Sequence, residues 1–417
     1  MMLPDPNVSD DSPQDADGIH ENPTATGYCL ILLAVACGII YSFGAFYPAL
    51  QHHFDLSYEA VSVIFSVFLV SAAAAAPFSR FMEQKAGGWL VITIAGTVTG
   101  LGMFLASLSE SAWQLFFTCG LMGGLSIGIT LPVVIRILAR SAKKRRVLLL
   151  SLISGGIGIA IIAPLSGWII DHYEWSDGYR NLSIITWVFF IPIGVLLKFA
   201  VPTDIDRSWE NNNGLSADSN EDISSRNFWI ALSYWFCLSF VVHMVIIHIS
   251  PDAYSRGISL VHSTLLLSVL SGITIIFALM VVGFTSVTDR KTLGIIFSLA
   301  GAGVLFWVIE AENASQFYLF AILFSPVWGG MSVIMNQLYS FERAAYLKKF
   351  SCYLVVGAWG CGGALGAYIG GLSMRLMGDY HLALFINAWV LVAAAVFIWA
   401  INPSRQAKLE VQSAIDE

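Results

Sequence analysis

The sequence predicts an all-α membrane protein, with twelve transmembrane helices arranged as two pseudo-symmetric six-helix bundles. Three observations carry that expectation. First, 57% of the 417 residues are apolar or aromatic and 12% are charged, with a mean hydropathy of +0.73, whereas a soluble domain carries roughly 25% charged residues. Second, the chain breaks into twelve apolar runs of about the 20 residues needed to cross a bilayer. Third, Lys and Arg fall almost entirely into alternate connections. This composition excludes a disordered chain, a coiled coil and most cytosolic enzymes, and a net charge of -7 gives no footing for nucleic acid.

Taken in order, residues 1–26 contain no Lys or Arg and are rich in Asp, Pro, Ser and Asn, which predicts a disordered tail rather than a secretory signal. An N-terminal six-helix bundle follows over 27–201, with spans at 27–50, 58–81, 88–108, 112–138, 147–171 and 180–200. Residues 202–226, with Asp204, Asp206, Glu210, Asp218, Glu221 and Asp222, read as a solvated linker. A C-terminal six-helix bundle occupies 227–402, with spans at 228–250, 261–286, 293–310, 316–340, 350–376 and 381–401, and residues 403–417 form a second tail. A linker dividing the spans six and six is the layout of two bundles that rock about a site near the bilayer midplane.

The basic residues set the orientation, because Lys and Arg near span ends stay in the cytoplasm. The connection after span four carries Arg140, Lys143, Lys144, Arg145 and Arg146. Placing it and every even-numbered connection inside puts 16 of the 21 Lys and Arg there. Arg180, Arg256 and Arg375 fall outside, while Arg136 and Lys198 lie within or at the end of spans. The linker and both termini are then cytoplasmic.

No Ser-His-Asp, metal-ligand or paired-carboxylate constellation survives placement within the spans, and no phosphate-binding loop is present. The six Cys all lie in apolar runs and read as core residues. No enzyme activity, cofactor or metal is expected. The partners expected are a small-molecule solute and the lipid bilayer.

The connection after the second span of each half contains an acidic and a basic residue in a tight turn. It reads R-F-M-E-Q-K-A-G-G from Arg80 in the first half and T-D-R-K from Thr288 in the second. The second copy resembles the core of the loop signature of the major facilitator superfamily, with Asp289 and Arg290 carrying the match. In the first copy Glu83 stands for the acid and Gln84 replaces the Arg. The resemblance implies that such an acid faces a helix N-terminus in the opposite half, where the dipole favours negative charge, and holds the cytoplasmic side closed. Gln84 should make the first latch the weaker one.

Three further segments are similar to the monocarboxylate-transporter-like branch, which includes oxalate/formate-type exchangers. They are Y-S-F-G-A-F-Y-P-A-L from Tyr41, the stretch from Pro132 through K-K-R-R at 143–146 to S-G-G-I-G-I-A and the G-Y-R at 178–180, and H-I-S-P-D-A-Y-S-R-G-I-S from His248. The resemblance implies a secondary active transporter for a small organic anion such as a monocarboxylate; a monomer is expected. A bacterial inner or plasma membrane is expected, with protons as the candidate coupling ion on the strength of His243.

Alternating access needs a polar cavity between the bundles, so intramembrane polar residues at helical spacing are the candidates. In span seven Ser239 and His243 share a face, while His248, five residues on, is rotated by roughly 140°. His243 lies deep, and an ordinary pKa of about 6.5 suits a proton carrier; the alternative is a satisfied buried histidine. His248 reads as a lid or packing residue. Span ten offers Ser325, Trp328, Ser332, Asn336 and Tyr339 on one face, as cavity lining or as helix-to-helix hydrogen bonding.

Tyr41 in span one places a hydroxyl where a solute can meet it. In span four Ser126 and Thr130 share a face, and Arg136 either attracts an anion or snorkels to the lipid phosphates. Glycines at 120, 124 and 128 and at 362, 366 and 370 repeat every four residues and predict close helix packing. Spans one, eight and eleven hold no Lys or Arg in their midsections. A carboxylate would therefore meet hydroxyls, amides and His243, which leaves a neutral or zwitterionic solute open. Two other readings stay open: proton-driven efflux of an amphipathic compound, from A-P-L-S-G at Ala163, and a membrane sensor that keeps the fold without transport.

Overall fold

The computed structural model describes residues 22–142, 144–201, 225–284, 287–338 and 351–401. Of the expected tails (1–26 and 403–417) and linker (202–226), residues 1–21, 403–417 and 202–224 lie outside the described residues, while 23–26 and 225–226 are helical. Among the described residues, twelve helices are long and apolar enough to cross a membrane, and each overlaps one of the expected runs. They form two six-helix bundles.

Local chemistry explains where the helix ends depart from the apolar runs. Span one begins at Pro23 rather than residue 27 because Asn22 caps it, its Oδ1 accepting from the Ala25 amide at 3.0 Å, with Pro at the first helical position. The span continues past Ser42 as Phe43–Phe54. Span two ends at Ala75, and the expected run to 81 instead becomes a separate short helix, Phe78–Ala86, which carries Arg80, Glu83 and Lys85 and is too polar to cross lipid. Gly87, at φ +80°, turns this helix into span three (Gly88–Ser107). Span four holds a π-helical stretch, Phe116–Gly123, before its straight part, Gly124–Ser141.

The repeat is visible in which helices touch and how closely. A β-carbon on Gly124 or Gly128 of span four would collide with the Phe68 or Ala72 carbonyl of span two. In the second half, Gly329 of span ten (Ala314–Leu338) meets the Thr274 carbonyl of span eight (Leu260–Phe284) in the same way. Gly158 of span five lies against the Ala34 carbonyl of span one. Correspondingly, Gly362 and Gly366 of span eleven (Ser351–Met377) lie against the Phe236 and Phe240 carbonyls of span seven (Ser225–Ser255). Without side chains in the way, backbones approach to the distance at which dispersion holds helices together in lipid.

The halves meet along spans one and seven, two and eleven, and five and eight. Ser66 of span two donates to the Ala364 carbonyl of span eleven at 2.8 Å, and Ser268 of span eight donates to the Ala160 carbonyl of span five at 2.8 Å. On the face away from the termini, here the distal face, Glu59 of span two accepts from the Tyr368 hydroxyl at 2.7 Å and pairs with Arg375, both from span eleven. Gly371 of span eleven packs so closely on Ser62 and Tyr58 that a β-carbon there would clash. The two halves are thus latched together at the distal face.

Candidate functional site

Among the polar contacts between the halves, one pairs two side chains deep in the spans. His243 of span seven is fully buried, and its Nε2 lies 3.3 Å from the hydroxyl of Tyr41, the residue before the helix interruption at Ser42 in span one. On the other side of the ring, Nδ1 lies 2.9 Å from the Ser239 carbonyl and 3.0 Å from the Ser239 hydroxyl. That hydroxyl donates to the Trp359 carbonyl of span eleven at 2.5 Å, so toward His243 it is left to accept.

These bonds assign the neutral tautomer. A carbonyl accepts only, so Nδ1 carries the hydrogen, and Nε2 offers a lone pair to the Tyr41 O–H. A proton arriving at Nε2 would make both ring nitrogens donors and reverse the bond to Tyr41. The ring is framed by Trp359 at 5.3 Å and Phe65 at 6.1 Å between centroids, and Trp328 meets Tyr41 edge-on at 5.8 Å. Gly363 of span eleven leaves the space the imidazole occupies, since a β-carbon there would lie 2.6 Å from Nδ1.

Four of the candidates from the sequence, Tyr41, Ser239, His243 and Trp328, therefore converge, and they come from both halves. Ser332 is buried on the same helix as Trp328. The side chain of Asn336 and those of Asp289 and Arg290 lie outside the described residues, as does Tyr339. Ser325 bonds to the Leu270 carbonyl of span eight at 3.0 Å, which is the helix-to-helix alternative rather than cavity lining.

Ser126 and Thr130 are placed away from this cluster. The Ser126 hydroxyl lies 2.8 Å from that of Thr99 in span three, and Thr130 donates to the Ser126 carbonyl at 2.8 Å, so both serve packing within the first bundle. The Arg136 guanidinium is held within the first bundle: its Nε donates to Glu83 at 2.5 Å, and its NH2 group donates to Ser79 at 3.2 Å. Glu83 also pairs with Arg140 at 3.2 Å. The resemblance led to an expected helix end in the opposite half as the partner of Glu83; the contacts described for it are with two arginines of its own half. Its polar helix folds back on span four, where two guanidinium groups neutralise a buried carboxylate more completely than a helix dipole would.

Sequence reasoning did not single out Trp359, Phe65 or Gly363, nor the distal trio Glu59, Tyr368 and Arg375. The available signal for the first group was the W-G-C-G-G run at 359–363, which places an aromatic ring beside clustered small residues. Both histidines of span seven abut span eleven, despite their angular offset, because Gly363 and Gly370 each vacate space for a ring.

Two pseudo-symmetric bundles of six apolar helices enclosing a shared polar contact define an integral, multi-pass membrane protein of the twelve-helix, two-bundle class. The Major Facilitator Superfamily model matches residues 29–347, and the chain belongs to that family. It is 24% identical to monocarboxylate transporter 2 of Homo sapiens over 399 residues, covering 87% of this chain and 82% of that protein. It is 28% identical to monocarboxylate transporter 13 of Bos taurus over 167 residues, which is 40% of this chain and spans only 39% of that relative's length. These relatives are transporters, not enzymes. Among solved structures, the inward-open xylose transporter XylE from E. coli shares the fold with a TM-score of 0.69 at 14% identity, covering 92% of this chain and 98% of that one.

Proposed function

We propose that the protein is a secondary active transporter that moves a small, monocarboxylate-like organic anion together with a proton by alternating access. The observation that carries this reading is the Tyr41–His243 contact, which joins the two halves through a group whose protonation reverses the bond. Protonated at Nε2, His243 supplies the positive charge that a carboxylate needs on leaving water. Trp328, Trp359 and Phe65 suit the apolar body of such a solute. Departure of solute and proton together leaves a neutral site, free to re-form the contact.

The closed distal face supports a conformer that exchanges solute on the side of the termini, and the distribution of Lys and Arg supports placing that side in the cytoplasm. A monomer suffices, because one chain supplies both walls of the site. Purified protein in proteoliposomes, screened with labelled monocarboxylates, neutral solutes and amphipathic cations, tests the proposal. Carboxylate accumulation should rise when the interior is alkaline and be lost in His243→Ala. Accumulation that ignores the pH gradient in both proteins would overturn the coupling, and counterflow by neutral solutes alone would overturn the anion.

A further inference from the structure

The stretch from His248 to Ser259, which carried part of the family resemblance, takes no part in the central site, yet it lines a second space near the distal face. His248 is 1% exposed, and its Nε2 lies 2.8 Å from the Ala367 carbonyl of span eleven, so Nε2 carries a hydrogen. Its Nδ1 has no hydrogen-bond partner in the structure, and neither has the hydroxyl of Tyr380, whose ring centroid is 5.2 Å from the imidazole. Buried polar atoms left in this way are costly unless something fills the site.

A void of about 10 Å³, close to the smallest space that holds one water, has His248, Tyr380 and Asp252 in a wall otherwise made of apolar side chains such as Val308, Phe320 and Leu384. Asp252 lines a second space as well, a vestibule of about 650 Å³ bordered by Tyr58, Arg256, Glu312, Asp379 and His381. Asp252 thus lines both the wide vestibule and the small void. Arg256 holds its carboxylate from one side at 2.8 Å and is itself fixed by the Ile309 and Ala311 carbonyls.

We propose that His248 is a proton-binding site loaded from the distal vestibule, with Asp252 as the positioning counter-charge at its mouth. A proton from vestibule water adds to the Nδ1 lone pair. The imidazolium keeps its Nε2–H on Ala367, and its new Nδ1–H is balanced by the Asp252 carboxylate that lines the same void. The titratable groups around the ring are Asp252 and Arg256 on its own helix, Tyr380 with Asp379 and His381 at the start of span twelve, Tyr47, Tyr58 and Glu59 from the first half, and Tyr368 and Arg375 on span eleven. Asp252 is the carboxylate that lines the void, so it governs proton affinity there. Tyr47 of the first half packs edge-on against the ring at 5.2 Å, which places the bound charge directly at the seam between the halves.

Deuterium exchange at the imidazole C2 carbon, read by mass spectrometry on the purified full chain across pH 4–9, tests this. The wild-type His248 profile should be sigmoidal. Asp252→Asn should lower its midpoint by at least one pH unit, a tenfold loss of proton affinity, and Arg256→Gln should raise it, with the His243 profile unmoved. Loss of packing alone does not give opposite signs for the two changes. A flat His248 profile, or a midpoint that neither variant moves, overturns the proposal, and Arg256→Gln decides it alone where Asp252→Asn does not fold. The readout is proton occupancy rather than flux, so a carrier without pH-gradient coupling would sink the proposed function and leave this site standing.

Discussion

Replacing Tyr41 with Phe removes one hydroxyl and leaves the ring, so it isolates the bond that joins the halves at their centre. A neutral hydrogen bond contributes a net of about 0.5–1.5 kcal/mol. At 3.3 Å this one is longer than usual for an O–H donor, which favours the lower part of that range. The remaining Nε2 lone pair regains water when the halves separate, so the change acts on the closed state. A loss of about 0.5–1 kcal/mol shifts the ratio of distal-open to distal-closed protein about two- to fivefold.

The shift is measured by the reaction of a membrane-impermeant thiol reagent, added from the distal side, with Ser62→Cys in a background freed of the native cysteines. Ser62 is fully buried at the seam against Gly371, so its labelling reports opening. Tyr41→Phe should raise the rate about two- to fivefold. An unchanged rate would refute the claim that this bond helps to hold the halves together.

Other consequences follow from the packing. Glu83→Gln leaves Arg136 and Arg140 without their carboxylate; with Glu83 6% exposed and Arg136 28% exposed, the loss should be about 2–3 kcal/mol, below the roughly 3–5 kcal/mol of a fully buried pair, and visible as a lower thermal midpoint in detergent. Gly128→Val drives a side chain into the Ala72 carbonyl and should destabilise on the order of 3 kcal/mol, reducing the yield of monodisperse protein. Ser126→Ala should cost about 1 kcal/mol in stability through the lost Thr99 contact while leaving the KM for solute unchanged; a raised KM would return Ser126 to the solute path.

Much of the fold is legible in the sequence because lipid imposes a coarse rule: each crossing needs a long apolar run, and the basic residues mark one side. The glycine repeats at 124 and 128 and at 362 and 366 likewise disclose real contacts, since small residues every four positions admit a neighbouring backbone. The site is legible only in part. Polar residues at helical spacing select both a shared cavity and ordinary helix contacts, and nothing in one sequence separates His243, which meets the other half, from Ser126, which meets its own.

Glu83 was legible as a functional acid by resemblance, but its partner depends on where a nine-residue helix folds back, and that is a tertiary fact. The distal trio has no sequence signature at all, because Glu59 and Arg375 are brought together from spans two and eleven. The H-x-x-P stretch at His248 was visible as a motif, whereas its enclosed void and vestibule required the packing of spans seven, eleven and twelve.

The most direct test of the central claim is proton movement on addition of a transported carboxylate to lightly buffered proteoliposomes. The account predicts that the outer medium becomes alkaline in proportion to solute uptake, and that His243→Gln abolishes this proton movement. Uptake with no pH change, or an equal pH change in His243→Gln, would contradict it.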